Sequence, residues 1–229
     1  MRFGTTIFAE WKHEKGRVEA WNDRFGFFSI FYKVTDQGIS FSPQIGDLVG
    51  SGEELDYAAL AVFFRIGFFL GEDTPFAKIR ALPPNCLLVF EGPSRMQLSG
   101  DITLVPERAI SYDRAVDTYA ELFRQAIGRR LTSKKFAVPF SGGRDSRHIL
   151  LELLAQGHRP EFAATILRFP PFANDDAVVA AELCKAAGIE HRVVPQTQSR
   201  FQAETRMHQI TSFNSDEHEW AIALGDDLK

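Results

Sequence analysis

Dense apolar runs dominate the first forty residues, and helical periods take over only later. The densest run, residues 25–34, carries Phe25, Phe27, Phe28, Ile30, Phe31, Tyr32 and Val34. That is too apolar for a sheet face in water, so it predicts a strand covered on both sides. Residues 1–41 as a whole read as strands, with Gly16, Gly26 and Gly38 marking turns or bulges, and residues 44–50 as a turn or short helix. Between residues 55 and 68 the spacing lengthens. Leu55, Ala58, Ala59, Val62, Phe63 and Ile66 recur at helical steps, and Gly67 or Gly71 would end that helix. Leu82, Pro83, Pro84 and Asn85 cannot continue a helix; a strand at 86–90 follows, closed by Glu91, Gly92 and Pro93, then a weaker strand at 96–104. Residues 106–111 read as a linker.

Beyond the linker the pattern becomes an alternation of helix and strand. Ser111 is placed to cap a helix whose one face holds Ala115, Tyr119, Leu122, Phe123, Ala126 and Ile127, a packing face with no chemistry of its own. Arg129, Arg130, Lys134 and Lys135 gather at its end, where cations favour the helix dipole; a solvated cap is the reading preferred over a phosphate contact. A strand at 136–140 leads to a helix with Ile149, Leu150, Leu153 and Leu154, stopped by Gly157. A strand at 162–167, a helix at 175–187 capped by Asn174 or Asp175 and ended by Gly188, and a strand at 189–194 complete a βαβαβ series. Such a series implies a parallel sheet with right-handed crossovers, and ligands bind beyond the carboxyl ends of its strands. In the tail, Asp216, Glu217 and His218 are adjacent and would point apart on a helix, so Ser215 and Asp216 read as a cap for a helix at Trp220 rather than as metal ligands. The fold class expected is α+β over residues 1–108 and α/β with a parallel sheet over residues 109–229.

Composition narrows the partners. Of 229 residues, 45% are hydrophobic and 24% charged, a soluble globular balance, and the 21 Phe fall in apolar runs rather than among basic clusters. The net charge of −4 offers no electrostatic footprint for nucleic acid or an anionic membrane. Cys86 and Cys184 have no CxxC spacing, which argues against a zinc site or a disulfide framework and for a reducing compartment. No apolar run approaches the roughly 18 residues of a membrane span.

Chemistry concentrates at residues 140–146. Phe140 ends a strand, and Ser141, Gly142, Gly143, Arg144, Asp145 and Ser146 turn directly into a helix. A strand that stops at two glycines and enters a helix leaves backbone N–H groups converging on one spot with the positive end of the helix dipole behind them, which suits a phosphate. The glycines let phosphate oxygens reach the backbone, and Ser141 and Ser146 add hydroxyls. Asp145 would repel phosphate unless a cation lay between, which suggests Mg²⁺ bridging it to a polyphosphate. A Gly-Gly turn followed by a Ser/Asp cap is the plainer reading. No Gly-Lys-Ser/Thr follows, so this is not a Walker-type loop.

Ser-Gly-Gly-x-Asp-Ser after a strand resembles the pyrophosphate loop (PP-loop) of the N-type ATP pyrophosphatases, and its surroundings are most similar to the asparagine synthetase family. The resemblance implies that Ser141, Gly142, Gly143, Asp145 and Ser146 bind the pyrophosphate of ATP, with Mg²⁺ held at Asp145 through it. It places adenine near Phe140, Ile166 and Leu167. Ala177, Ala181, Gly188 and His191 are similar to the family's following helix and strand; His191 taken alone reads as a structural histidine. Asn22 to Gly26, Leu55 to Leu60 and Asp73 to Pro84 resemble the later part of the family's glutamine-amidotransferase domain, with Asn85 in place of a glycine that Asn can replace in a left-handed conformation. The implied folds are partial Ntn-hydrolase-like sheets in the first half and an adenine nucleotide alpha hydrolase-like sheet in the second. The implied activity is ATP-dependent, AMP-forming amide ligation in the cytoplasm, in which a carboxylate is adenylated and ammonia attacks. Its partners are ATP and a small-molecule carboxylate, with no nucleic acid and no membrane; a homodimer is compatible.

Some positions depart from the family. Arg2 stands where the glutaminase has its nucleophilic Cys, and Asp23 matches a residue of the glutamine pocket but equally reads as a turn aspartate. Arg144, Arg147 and His148 add cations at the loop, and Pro139 lacks the N–H a strand would use. The family continues through a second acidic loop, so an incomplete copy is expected. A non-catalytic ATP-binding or scaffold remnant and a β-lactam-forming or peptide-cyclising ligase share the same loop. Purified protein is expected to release no glutamate from glutamine above a buffer control; release that survives replacement of Cys86 would overturn this.

Overall fold

Lys15 and Gly16, with φ of 50° and 80°, reverse the chain between β1 (Ala9–Glu14) and β2 (Arg17–Asn22). Two consecutive left-handed residues match the twist of a tight hairpin. In that register Lys12 faces Glu19 across the strands at 2.9 Å. The computed structural model describes residues 9–100, 109–131, 133–215 and 218–228. The chain divides into two units, Met1–Val105 with Met207–Asp216, and Pro106–Arg206 with Glu217–Lys229.

In the first unit β2 pairs antiparallel with β6 (Cys86–Phe90), which pairs with β7 (Met96–Gly100), giving the sheet order β1-β2-β6-β7. The period-two alternation of β6 turns Cys86, Leu88 and Phe90 into a core with Ala20, Ile30, Tyr32 and Leu82. A second antiparallel sheet has β3 (Phe31–Thr35) between β4 (Gly38–Ser42) and β5 (Ile79–Ala81). Tyr32 enters the first core, whereas Phe31 packs with Ile45, Leu48 and Ile79 in another. This strand is covered on both sides, as its density of apolar residues predicts. Residues 45–48 form a 3-10 turn, and α1 (Tyr57–Ile66) is capped by Asp56, which accepts from Ala59 N at 3.0 Å, and ended by Gly67 in the left-handed region. Of its expected apolar face only Ala59 is buried.

The strand expected over residues 25–34 begins only at Phe31. Asp23 is the reason. Its carboxylate accepts from the N–H groups of Phe25, Phe27 and Phe28 at 3.0, 3.3 and 3.0 Å, which removes those donors from any ladder. Gly26, with φ +65°, completes the loop, and Phe25 and Phe27 are left 64% and 71% exposed. The neighbouring Asn22 accepts from Cys86 N at 3.1 Å and donates to the Leu82 carbonyl at 3.3 Å. Asn85, between them, takes the left-handed φ of 54° that its side chain tolerates. Segments sixty residues apart in sequence, the Asn-Asp-Arg-Phe-Gly and Leu-Pro-Pro-Asn stretches, are thereby laced together.

The second unit carries a parallel sheet in the order β10-β9-β8, formed by β8 (Ala137–Pro139), β9 (Phe162–Ile166) and β10 (Glu190–Val194). Between them run α3 (Arg144–Ala155) and α4 (Asp175–Ala187), the latter ended by Gly188 at φ 64°. One face of the sheet is closed by a cluster of Phe140, Leu150, Ala163, Ala180, Cys184 and Ile189. The other is closed by Phe162, Ala164, Val194 and Ala223, the last from α6 (Ile222–Asp227). Two-sided cover is what a parallel sheet needs. The helix α2 (Tyr112–Arg130) starts at Ser111, whose hydroxyl accepts from Arg114 N at 3.3 Å. Its expected packing face is not fully buried: Tyr119 and Leu122 stay more than half exposed, whereas Phe123, Ala126 and Ile127 are partly covered, and α2 meets α3 through Phe123 on His148 and Arg124 near Glu152. Arg129 and Arg130 bond within α2, the second to the Ala126 carbonyl, in agreement with a helix-end cap. α5 (Arg200–Thr211) gives its first turns to this unit and its last to the other.

Residues 1–8 with Arg2, residues 101–104 of the weaker strand, residues 106–108 of the linker, and Asp216 and Glu217 of the tail lie outside the described residues. Among the described residues no helix is long and apolar enough to cross a membrane.

Asp23→Ala would strip the acceptor from three partly buried N–H groups at once. A loss of about 3 kcal/mol is expected, given what charge-assisted bonds contribute, measured by urea unfolding. A loss below about 0.5 kcal/mol would show that water replaces the carboxylate without cost.

Candidate functional site

The path from β8 into α3 is made by four residues, Phe140, Ser141, Gly142 and Gly143, and each has a distinct physical task. Phe140 is 2% exposed with its ring in the core, so at the loop it offers backbone only. Its N–H donates to the Ala164 carbonyl at 2.8 Å. Strand alternation then puts the nitrogen of Pro139 on the side away from β9. The missing N–H therefore costs this sheet nothing, since β8 is its outer strand among the described residues.

Gly142 has φ +72°, and a Cβ there would sit 3.0 Å from Val179 Cγ1, 3.1 Å from Ala180 N and 3.2 Å from the Asp176 carbonyl. The loop is thus seated directly on the first turns of α4, and only glycine fits. Gly143 is the N-cap of α3 and has no side chain to cap it. The first-turn amides of a helix lack intrahelical acceptors, so an N-cap glycine leaves them available to a ligand.

The serines set up a closed circuit. Gly143 N donates to Ser141 Oγ at 3.2 Å, and Ser146 Oγ donates to the Gly143 carbonyl at 3.2 Å. With the Ser146 proton so committed, the 3.2 Å contact between the two hydroxyls must run from Ser141 to Ser146. Asp145 and Arg144 are exposed on the first turn of α3, and Arg147 turns back so that its Nε donates to the Gly143 carbonyl at 3.4 Å. His148, one residue on, stacks on Phe123 of α2 at 4.1 Å between ring centroids, which orients the start of α3.

At the ends of the neighbouring strands the structure adds Thr165, which the sequence did not single out, and gives His191 a partner there. Thr165 on β9 donates to the Phe140 carbonyl, and its Oγ1 lies 2.8 Å from His191 Nε2 on β10. Burial lowers the His191 pKa below the usual histidine value. Ile166 turns its side chain to the opposite face, toward Ala164 and Val194, and the Leu167 carbonyl accepts from Gln196 Nε2 at 2.7 Å. Asn174 stands at the N-cap of α4, but its side chain does not cap. Its Oδ1 accepts from Arg168 N at 2.7 Å and closes the loop after β9, where the Arg168 guanidinium covers the Phe172 ring at 4.5 Å. A threonine in the otherwise apolar run of β9 was the available sequence signal; its partner depended on strand register. Asp23 lies in the first unit with both carboxylate oxygens engaged by backbone N–H groups. Ser141, Gly142, Gly143, Asp145 and Ser146 are together at the carboxyl edge of the parallel sheet, where β8 gives way to α3.

Residues 118–213 match the sequence profile of a family described as asparagine synthase. Over this segment the chain is similar to the asparagine synthase family. The family is associated with ATP-dependent amide ligation in general, and the matched segment contains the loop, all three parallel strands, α3 and α4. No curated protein matches the chain.

Gly142→Ala is expected to destabilise the second unit by about 2 to 3 kcal/mol, combining left-handed strain with the contacts on α4. Gly157→Ala is the control, since it has φ +79° but nothing within 4 Å of the added carbon; there strain alone should cost about 1 kcal/mol. Equal losses in urea unfolding would mean that the approach to α4 exerts no constraint.

Proposed function

We propose that the 141–146 loop binds the β,γ-pyrophosphate of ATP and that the second unit is the nucleotide-binding part of an AMP-forming amide ligase with an adenine nucleotide alpha hydrolase-like sheet. The observation that carries this reading is the glycine N-cap of α3. It leaves the amides of the first turn uncovered at the carboxyl edge of a parallel sheet, next to two hydroxyls already oriented by each other. Such a donor set is complementary to an anion such as a phosphate. Phe140, Ile166 and Leu167 would bring mainly backbone groups to the adenine.

Asp145 is the single carboxylate of the loop sequence. Among the described residues no group of three or more His, Cys, Asp or Glu is placed to hold a metal ion. A Mg²⁺ at Asp145 would take its remaining oxygens from phosphate and water, as Mg²⁺ does in nucleotide sites, and would supply charge neutralisation of the leaving pyrophosphate. The loop amides and the two serine hydroxyls would hold that pyrophosphate while a substrate carboxylate oxygen attacks the α-phosphorus and the bond to the bridging oxygen breaks. An amine then attacks the activated carbonyl and AMP leaves. The chain's own contribution to the first step is positioning and electrostatic stabilisation.

ATP with Mg²⁺ is expected to bind with Kd of roughly 10⁻³ to 10⁻⁴ M, about −4 to −5.5 kcal/mol, with the Gly142 and Gly143 amide signals shifting. Asp145→Asn keeps the backbone donors, and since Gly143 is the N-cap it gives up only the favourable interaction of a first-turn charge with the helix dipole, about 0.3 to 1 kcal/mol. The substitution should therefore leave the protein folded and remove the tightening of ATP binding by Mg²⁺. Unperturbed amides at millimolar ATP would reject the site, and an unchanged Mg²⁺ dependence in Asp145→Asn would reject the metal role.

A further inference from the structure

Thr165 and His191 sit one strand and two strands away from the loop, yet their hydrogen bonds end on its first peptide. A threonine hydroxyl has one proton to give, and a carbonyl oxygen can only accept. Thr165 gives its proton to the Phe140 carbonyl. The 2.8 Å contact between Thr165 Oγ1 and His191 Nε2 therefore has the imidazole as donor. His191 is held with its proton on Nε2, and Thr165, 3% exposed, has no freedom to turn its hydroxyl elsewhere.

The Phe140 carbonyl is where β8 departs from the sheet. Its N–H still bonds Ala164, whereas its oxygen is taken by a side chain instead of the ladder. In a trans peptide the carbonyl and the following N–H point in opposite directions. Holding the Phe140 oxygen on Thr165 therefore aims the Ser141 N–H away from Thr165 and sets the entry of the loop, just as Gly142 on α4 sets its next residue.

We propose that His191 is a positioning residue for the phosphate loop, acting through Thr165: its Nε2–H fixes the Thr165 hydroxyl on the Phe140 carbonyl and so orients the Phe140–Ser141 peptide. The role rests on the reading of the loop as a nucleotide site for its consequence in binding, but the relay itself exists without ligand and can be tested without it.

The full chain, labelled with ¹⁵N and ¹³C, decides both. In the unsubstituted protein the His191 ring nitrogens should report the Nε2–H tautomer. Thr165→Val and His191→Phe should move the Phe140 carbonyl and Ser141 amide signals and weaken Mg-ATP binding about tenfold. His191→Gln, whose amide can still donate to Thr165, should keep the signals and the affinity near their original values. An Nδ1–H tautomer overturns the relay even if no variant folds. So does a folded His191→Phe whose Phe140 and Ser141 signals stay in place, or a His191→Gln that behaves like His191→Phe. If the unsubstituted protein shows no ATP binding while the loop signals still follow the substitutions, the nucleotide reading fails and the relay stands. If ATP binds and His191→Phe binds it equally well, the positioning role is wrong.

Discussion

The approach of Gly142 to the first turns of α4 is the constraint on which the candidate site depends. A chain leaving a parallel strand here reverses into a helix within four residues, and it does so with its backbone against Val179, Ala180 and Asp176. That contact fixes where α3 begins. Because the next residue is also glycine, the helix starts without a side-chain cap, and the donors that a serine or aspartate N-cap would have taken remain directed at the edge of the sheet. Packing and ligand capacity are thus two results of one backbone requirement.

Hydrogen-bond direction supplies the rest of the order. Ser141, Ser146 and Thr165 each own a single hydroxyl proton, and in each case one firm carbonyl or amide contact decides where the others point. The loop is consequently arranged by its own sequence on one side and by β9 and β10 on the other. Donors already oriented need little reorganisation when charge is presented to them, which is the physical basis of electrostatic preorganisation.

The first unit is organised by a different device. Asn22 and Asp23 are buried polar residues whose side chains satisfy backbone groups on two segments far apart in sequence, residues 25–28 and residues 82–86. Buried polar atoms are tolerated where every partner is present, and here they hold a loop open that its phenylalanines would otherwise draw into a strand. The same arrangement occupies both oxygens of Asp23.

Local signals were enough to specify most elements from sequence. Ser111, Asp56, Gly67 and Gly188 act through their own backbone and nearest neighbours, so the helices they bound were legible, as were the alternation of Cys86, Leu88 and Phe90 and the strand–glycine–helix passage at 140–146. Where a residue's partner lay across the fold, sequence was silent. The run at 25–34 looked like a strand because nothing local reveals that Asp23 takes its amide protons, and the apolar side of α2 looked buried because period alone does not say what lies against it. Asn174 looked like a cap until Arg168 claimed its oxygen. The Phe140–Thr165–His191 relay exists only because the register, which sets His191 opposite Ala163 and Val193 opposite Thr165, lets Thr165 and His191 meet diagonally across neighbouring strands, and register is a property of the assembled sheet.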